Sequence, residues 1–450
     1  MRLGFLVGRK SHLRHLGPIA EGALDAGHRV TLLCDHRRKP AAGHGLLRRG
    51  GRGKVWEFPA LAQLQGFAAG RAEAVAFHTD AELVERAAAS ELDAVFGVNY
   101  PWLIGAADRL RARGIVVAQV QAGFDFLYTD DSGTKALFAD VTYGYTDLWV
   151  DWWAQVLALD GIAGPELEGL RQQLAGRFVA AGLPHADLAG RADPDEVRAR
   201  LGLPRGRRIV LFLPFPFGKT NAIRTVALGE ARGRTQPWVT GIYGAARPRQ
   251  ALTILRHRAW QHWPYVRHGW NDRRVVAEVR KFCDRNDALL VVKTRFQTPP
   301  RGYLRRAADR VFSDGPERLD YPPMLIDLLA VSSLCIHFCS GGLMEASASR
   351  VPWICVTPSR DEWPHFYDRR EELRGWSAVY DWPGVGYGLR VGALIETLAT
   401  RRLEDFPLVR ERSDEYLARF FRRGAGPVAR RILADLERRV TARRGEAVTR

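Results

Sequence analysis

The sequence predicts an α/β fold built from two doubly wound parallel domains, on three observations. A chain of 450 residues is too long for one hydrophobic core and suits two. Up to Gln121 the chain alternates strand-like and helix-like patterns, the βαβα order of a parallel sheet. From Ala330 to Pro358, AVSSLCIHFCSGGLMEASASRVPWICVTP reads as helix end, buried strand, glycine turn, helix and second buried strand. Leu334 to Phe338 is apolar without alternation, as in a strand covered on both faces.

Leu3 to Gly8 reads as the first strand and Gly8 to Gly17 as a loop carrying Arg9, Lys10, His12, Arg14 and His15. Pro18 suits a helix start, where its missing N–H costs nothing, and Gly27 a left-handed cap. Strands are expected at Arg29 to Cys34, Ala94 to Val98 and Ile115 to Gln121, with helices at Ala81 to Ser90 and Leu103 to Arg113. His36 to Gly53 is a basic, glycine-rich loop. The aromatic run from Tyr143 to Trp153 is core packing or cleft wall.

A linker is expected from Leu183 to Arg205, followed by a strand from Arg208 to Pro214, after which Lys219 sits near the strand exit. Residues 247 to 274 hold seven Arg, three His and three Trp. That insert suits an anionic membrane surface, a lid over a ligand, or a plain solvated face. A strand from Ala288 to Val292 ends in Lys293-Thr294-Arg295, so the two cations share a face and could clamp one phosphate. Pro407 to Arg439 is a helical tail broken at Gly424.

No stretch reaches the roughly 20 apolar residues of a membrane span. Five Cys give no disulfide framework, which fits a reducing cytoplasm; Cys335 and Cys339 read as buried strand thiols rather than metal ligands. No metal or cofactor is called for. The net charge of +17 favours anionic partners, discounted because sixty Arg against seven Lys signals compositional skew. No nucleic-acid-binding motif is present, and the first strand lacks the GxGxxG of dinucleotide binders.

The functional signal concentrates at Ser340, Gly341 and Gly342. Small residues at the carboxyl end of a parallel strand let a phosphate approach the backbone, and Glu345 one turn on could accept hydrogen bonds from a ribose or sugar. An ordinary strand–turn–helix junction is the structural alternative.

Ser340, Glu345 five residues on and Pro352 twelve on resemble the C-terminal domain of GT-B-fold transferases, nearest to the CDP-glycerol glycerophosphotransferase and capsule polysaccharide transferase group. Asp320-Tyr321-Pro322 and Leu325 to Ser333 resemble that group's segment ahead of the motif, with Ser333 in place of Asp. UDP-N-acetylglucosamine 2-epimerases carry a similar block on the same fold. The resemblance implies two Rossmann-like domains facing across a cleft and a C-terminal helix crossing back. The expected division is an acceptor-side domain at 1–183, a linker at 184–205, a donor-binding domain at 206–405 and a tail at 406–450.

It further implies a transferase moving a sugar or polyol phosphate from a nucleotide-activated donor to a polysaccharide or lipid-linked acceptor. Such an enzyme would lie in the cytoplasm, against the inner face of the membrane. Donor contacts fall to Lys219, Lys293, Arg295, Ser340, Gly341, Gly342 and Glu345. Positive groups on the diphosphate would stabilise the leaving group without a metal. The base would be His12 or His15 of the first loop, or Asp125, because Ala122 stands where relatives have a His. All three also suit ordinary loop roles. Arg295 replaces another family His and can supply charge but not a titrating group. The alternatives are an epimerase or hydrolase on the same fold, or a degenerate binding protein.

Overall fold

The structure, a computed structural model, describes residues 1–37, 59–98, 103–127, 137–214, 272–294, 302–314, 319, 321–338, 340–357, 372–390, 392–421, 424 and 426–448. The first sheet has seven parallel strands: β1 (Arg2–Val7), β2 (Arg29–Asp35), β3 (Glu73–Phe77), β4 (Ala94–Val98), β5 (Val116–Val120), β6 (Val141–Gly144) and β7 (Phe178–Ala180). Their order is β3-β2-β1-β4-β5-β6-β7. The second sheet has six: β8 (Arg208–Phe212), β9 (Ala288–Thr294), β10 (Arg310–Ser313), β11 (Leu334–His337), β12 (Trp353–Thr357) and β13 (Gly386–Arg390), in order β10-β9-β8-β11-β12-β13.

Both domains are therefore Rossmann-like and doubly wound, as the sequence predicts. Every residue of β4, β5, β9 and β11 is buried, which is why these strands show no alternation. In each sheet the strand order reverses beside the first strand, between β1 and β4 and between β8 and β11. Crevices at the carboxyl ends of such switch points are where open α/β sheets bind ligands.

The tail forms two helices, Arg410–Phe420 and Val428–Val448, with Gly424 at φ +72° between them. The second packs on the first helix of the chain, Leu13–Asp25, and places Val428, Ile432, Leu433, Leu436 and Val440 in the first domain's core. Asp187 holds its start by accepting from the Val428 and Ala429 N–H groups at 2.8 Å each. Leu436→Ala is expected to cost about 2–5 kcal/mol, the range for truncating a buried leucine; a thermal unfolding curve checks it.

The aromatic run around Tyr143 is β6 followed by the helix Leu148–Leu159. Trp149, Trp152 and Trp153 are buried in one core with Trp376, Tyr416, Phe420 and Phe421. The Trp149 and Trp152 Nε1–H groups donate to the Phe420 and Arg374 carbonyls at 2.8 and 3.1 Å. This run is core packing that ties the two domains together.

The start of the chain differs from expectation. Gly8 to Gly17 is not one loop: a 3-10 turn covers Lys10–His12 and the helix starts at Leu13, so Pro18 lies inside it. Pro18 has no N–H to give the Arg14 carbonyl, so the helix forgoes one i→i−4 bond just past its first turn. Gly17 faces the Tyr321 ring of the second domain with no room for a Cβ. The Tyr321 hydroxyl donates to Glu21 Oε2 at 2.8 Å. Gly27 caps the helix at φ +79°, as the sequence indicates. The expected linker also contains a 3-10 turn, Pro184–Asp187, and a helix, Pro194–Leu201, capped by left-handed Gly202.

Candidate functional site

The Ser340-Gly341-Gly342 turn leaves the carboxyl end of β11, at the switch point of the second sheet. Two apolar strands, β8 and β12, flank β11 and fix it in the sheet interior. The helix Gly342–Ala348 follows. The Gly342 N–H donates to Ser340 Oγ at 3.3 Å, which closes the turn. A Cβ on Gly342 would press on the Leu213 side chain just past β8, at 2.8 Å, so a larger residue would require Leu213 to shift. Gly341 is different: its φ of −54° is ordinary, and a Cβ would meet only the mobile end of Met344, at 3.2 Å.

Glu345 lies one turn into the helix, 3% exposed. Helical side chains lean toward the N-terminus, so Glu345 projects from the first turn of this helix toward its start, and the carboxylate charge also acts on the Cys335 thiol of β11. Arg14 of the first domain reaches the Glu345 carboxylate, Nη1 to Oε1 3.8 Å. The cleft thus closes on Glu345 from the opposite side. Gly123, after β5, also approaches the helix, its nearest neighbour there being Met344.

His12 and His15 flank Arg14 in this seam. His12 is buried and its Nδ1 accepts from the Gly8 N–H at 3.3 Å. A neutral imidazole accepting at Nδ1 carries its proton on Nε2, so His12 in this tautomer is a donor there. His15 sits edge-to-face against His185 with ring centroids 4.5 Å apart. Among the described residues His15 Nδ1 and both ring nitrogens of His185 have no hydrogen-bond partner. Burial pushes the His15 imidazole well below the usual histidine range, helped by His185 and the Arg14 charge. Burial, again with Arg14, lowers His185 to about 3. Both rings are neutral at pH 7, which leaves His15 a lone pair for a proton but makes it a weak base.

Asp125 lies on the 3-10 turn Gly123–Leu127 after β5, on the loop the sequence indicated. Lys219, Arg295 and residues 247–271 of the basic insert lie outside the described residues. Lys293 is inside β9 rather than beyond it, and it is buried. Its Nζ pairs with Asp314 Oδ2 at 2.8 Å. The ammonium that the sequence assigned to a diphosphate therefore has a carboxylate beside it, from the end of the adjacent strand β10.

The structure brings Arg14, His15, His185 and Glu345 into one seam. Ser340, Gly341 and Gly342 stand beside it, and Lys293 is in a separate buried ion pair. Sequence reasoning passed over Arg14, His185 and Asp314 as functional candidates. Arg14 stood in the basic first loop and His185 inside the expected linker, with no local sign of what they face. Asp314 follows a four-residue edge strand whose pattern, RVFS, gives little signal. No group of three His, Cys, Asp or Glu able to hold a metal occurs among the described residues. None of their helices is long and apolar enough to cross a membrane.

No protein-family profile matches the chain, and no curated protein matches it by sequence. Solved structures do match. The UDP-N-acetylglucosamine 2-epimerase of Neisseria meningitidis, solved with UDP-N-acetylglucosamine bound, superposes with a TM-score of 0.51 at 11% identity, over 97% of this chain and 100% of that one. The wall teichoic acid polymerase TagF gives a TM-score of 0.51 at 13% identity, over 98% of this chain and 89% of that one. A Listeria monocytogenes protein assigned as a UDP-N-acetylglucosamine 2-epimerase gives 0.51 at 13%, over 97% and 95%. At such low identity the likeness is one of architecture, and it extends over both domains: the chain has the GT-B-like fold.

Proposed function

We propose that this chain binds a nucleotide-activated sugar or polyol donor in the cleft and transfers its activated group to a polysaccharide or lipid-linked acceptor. The observation that carries the reading is the Ser340-Gly341-Gly342 turn at the β8/β11 switch point, with Glu345 one turn in and Arg14 of the first domain 3.8 Å from it. In this reading residues 1–183 form the acceptor side and 206–405 the donor side, joined by 184–205, with 406–450 as the returning tail. The turn receives the diphosphate and Glu345 the ribose hydroxyls. His15, neutral at pH 7, holds a lone pair for the acceptor hydroxyl proton; Asp125 is the alternative base. Lys219 and Arg295 add phosphate contacts.

The polymer-acceptor reading draws support from the fold likeness to a wall teichoic acid polymerase. A second reading, epimerisation or hydrolysis of a UDP-sugar, draws support from the full-length likeness to 2-epimerases. The two readings differ in products. Incubation with CDP-, UDP-, GDP- and CMP-linked compounds should release a free nucleotide only when a polyol- or sugar-polymer acceptor is added. Acceptor-independent conversion of a UDP-sugar to its 2-epimer would replace transfer by epimerisation. Tight binding without turnover would make the chain a binding protein.

Gly341→Asp is expected to abolish nucleotide binding and leave the fold near intact, since its backbone is unstrained and an added Cβ meets only the end of Met344. The added carboxylate would repel a diphosphate at the turn. Calorimetry on the folded variant checks this; wild-type affinity would move the site away from the turn.

A further inference from the structure

Glu345 is too buried to stand as an isolated carboxylate, because an uncompensated buried charge is strongly destabilising. In the arrangement described here the opposite domain supplies a cation, Arg14, at 3.8 Å. At that separation the two groups attract without the short, bidentate geometry that Arg and carboxylate reach when optimally paired. The Arg14 side chain also keeps 25% of its surface exposed, against 4% for Glu345.

Binding of a nucleotide diphosphate at this place changes both requirements. A diphosphate at Ser340–Gly342 would lie within one helical turn of the Glu345 carboxylate, and the two anions repel. Ribose hydroxyls, in contrast, can donate to Glu345 and satisfy it without a cation. The guanidinium is then released next to the strongest anion in the cleft, whose oxygens suit its planar fork. Neither neighbouring imidazole competes for the anions. His15 and His185 are held neutral at pH 7 by burial and by Arg14 itself.

We propose that Arg14 is an exchange ligand coupling the two domains to donor binding: it neutralises Glu345 across the seam and moves to the donor diphosphate when ribose hydroxyls take its place. The inference rests on the donor-site reading above and adds to it a residue of the first domain, a phosphate contact and a swap of partners. Arg14 is a binding and positioning residue in this scheme, and Glu345 acts on phosphate affinity with the opposite sign.

That sign is the test. Inorganic pyrophosphate, UDP and CDP are titrated by calorimetry into the full-length wild type, Arg14→Gln and Glu345→Gln, each first shown to be folded by circular dichroism and melting. Arg14→Gln should weaken pyrophosphate binding roughly ten- to a hundredfold, the range for one charge-assisted hydrogen bond. Glu345→Gln should tighten pyrophosphate binding severalfold, because Arg14 no longer has to leave a carboxylate. UDP and CDP should gain less, since the hydroxyl acceptor is weakened. Arg14→Lys, which keeps the charge but not the fork, should fall between wild type and Arg14→Gln. A merely structural ion pair would weaken binding in both single variants. Affinity changes of the same direction in both, or no change in either, would overturn the exchange while leaving the donor site standing. A wild type that binds none of the three probes would remove the donor site and this inference with it.

Discussion

Lys293→Ala is expected to lose about 3–5 kcal/mol of folding stability, the cost of removing one partner of a buried ion pair. Lys293 and Asp314 keep side-chain exposures of 5% and 7% and meet at 2.8 Å. Truncating the lysine leaves Asp314 facing a low-dielectric interior with the Lys293 ammonium gone. The residue must then hydrate, protonate or force the end of β10 away from β9, and each course costs free energy. Replacing both partners by apolar groups of similar size, Lys293→Met with Asp314→Leu, is expected to recover most of the loss, because neither charge then remains buried. Chemical denaturation of the three proteins measures the difference. A Lys293→Ala midpoint equal to wild type would show that solvent reaches the pair, and would return Lys293 to the phosphate-clamp role that its place at the end of β9 suggested.

Stability should also fall steeply as the solution is acidified below about pH 6.5. Burial lowers the His185 and His337 imidazoles to about 3, and His15 falls in the same direction. An unfolded chain returns each to an ordinary value near 6.5. Between those limits the unfolded state binds protons that the folded state refuses, so the stabilisation is complete above about pH 6.5 and is lost as pH falls toward 3. Each histidine contributes a slope of up to about 1.4 kcal/mol per pH unit. Neither ring nitrogen of His337 has a hydrogen-bond partner among the described residues, and its ring packs near Trp353. His337→Leu and His185→Leu should each flatten the dependence. Melting curves from pH 8 to pH 5 that coincide for wild type and both variants would contradict buried, neutral histidines.

What the sequence makes legible here is local, and what it hides is distant. The Ser340–Gly342 turn could be read because strand, small residues and Ala-rich helix are consecutive, and its place at the switch point follows from the parallel order. The tail could be read as helical with a break at Gly424, and its return to the first domain was what the family resemblance implied. The first helix was misjudged by five residues because Pro18 was given the start position that Leu13 holds. β3, β6, β7 and β10 are three to five residues long, too short for a period to declare itself, and β6 merges into the aromatic helix that follows. The pairings Arg14–Glu345 and Lys293–Asp314 join segments that only the assembled sheets bring together. No spacing rule in the chain reports them, so a lysine at a strand end read as a ligand group when the fold gives it a neighbour.

Amide hydrogen exchange in the presence of nucleotide diphosphates tests the central claim most directly. If the cleft binds the donor as proposed, UDP or CDP slows exchange in two separated segments: the first helix turn around His12 to Leu16, and residues 340 to 348. Gly341→Asp abolishes both effects together. Protection confined to one domain, to segments away from the β8/β11 switch point, or retained in Gly341→Asp would contradict a donor site closed between the Ser340 turn and Arg14.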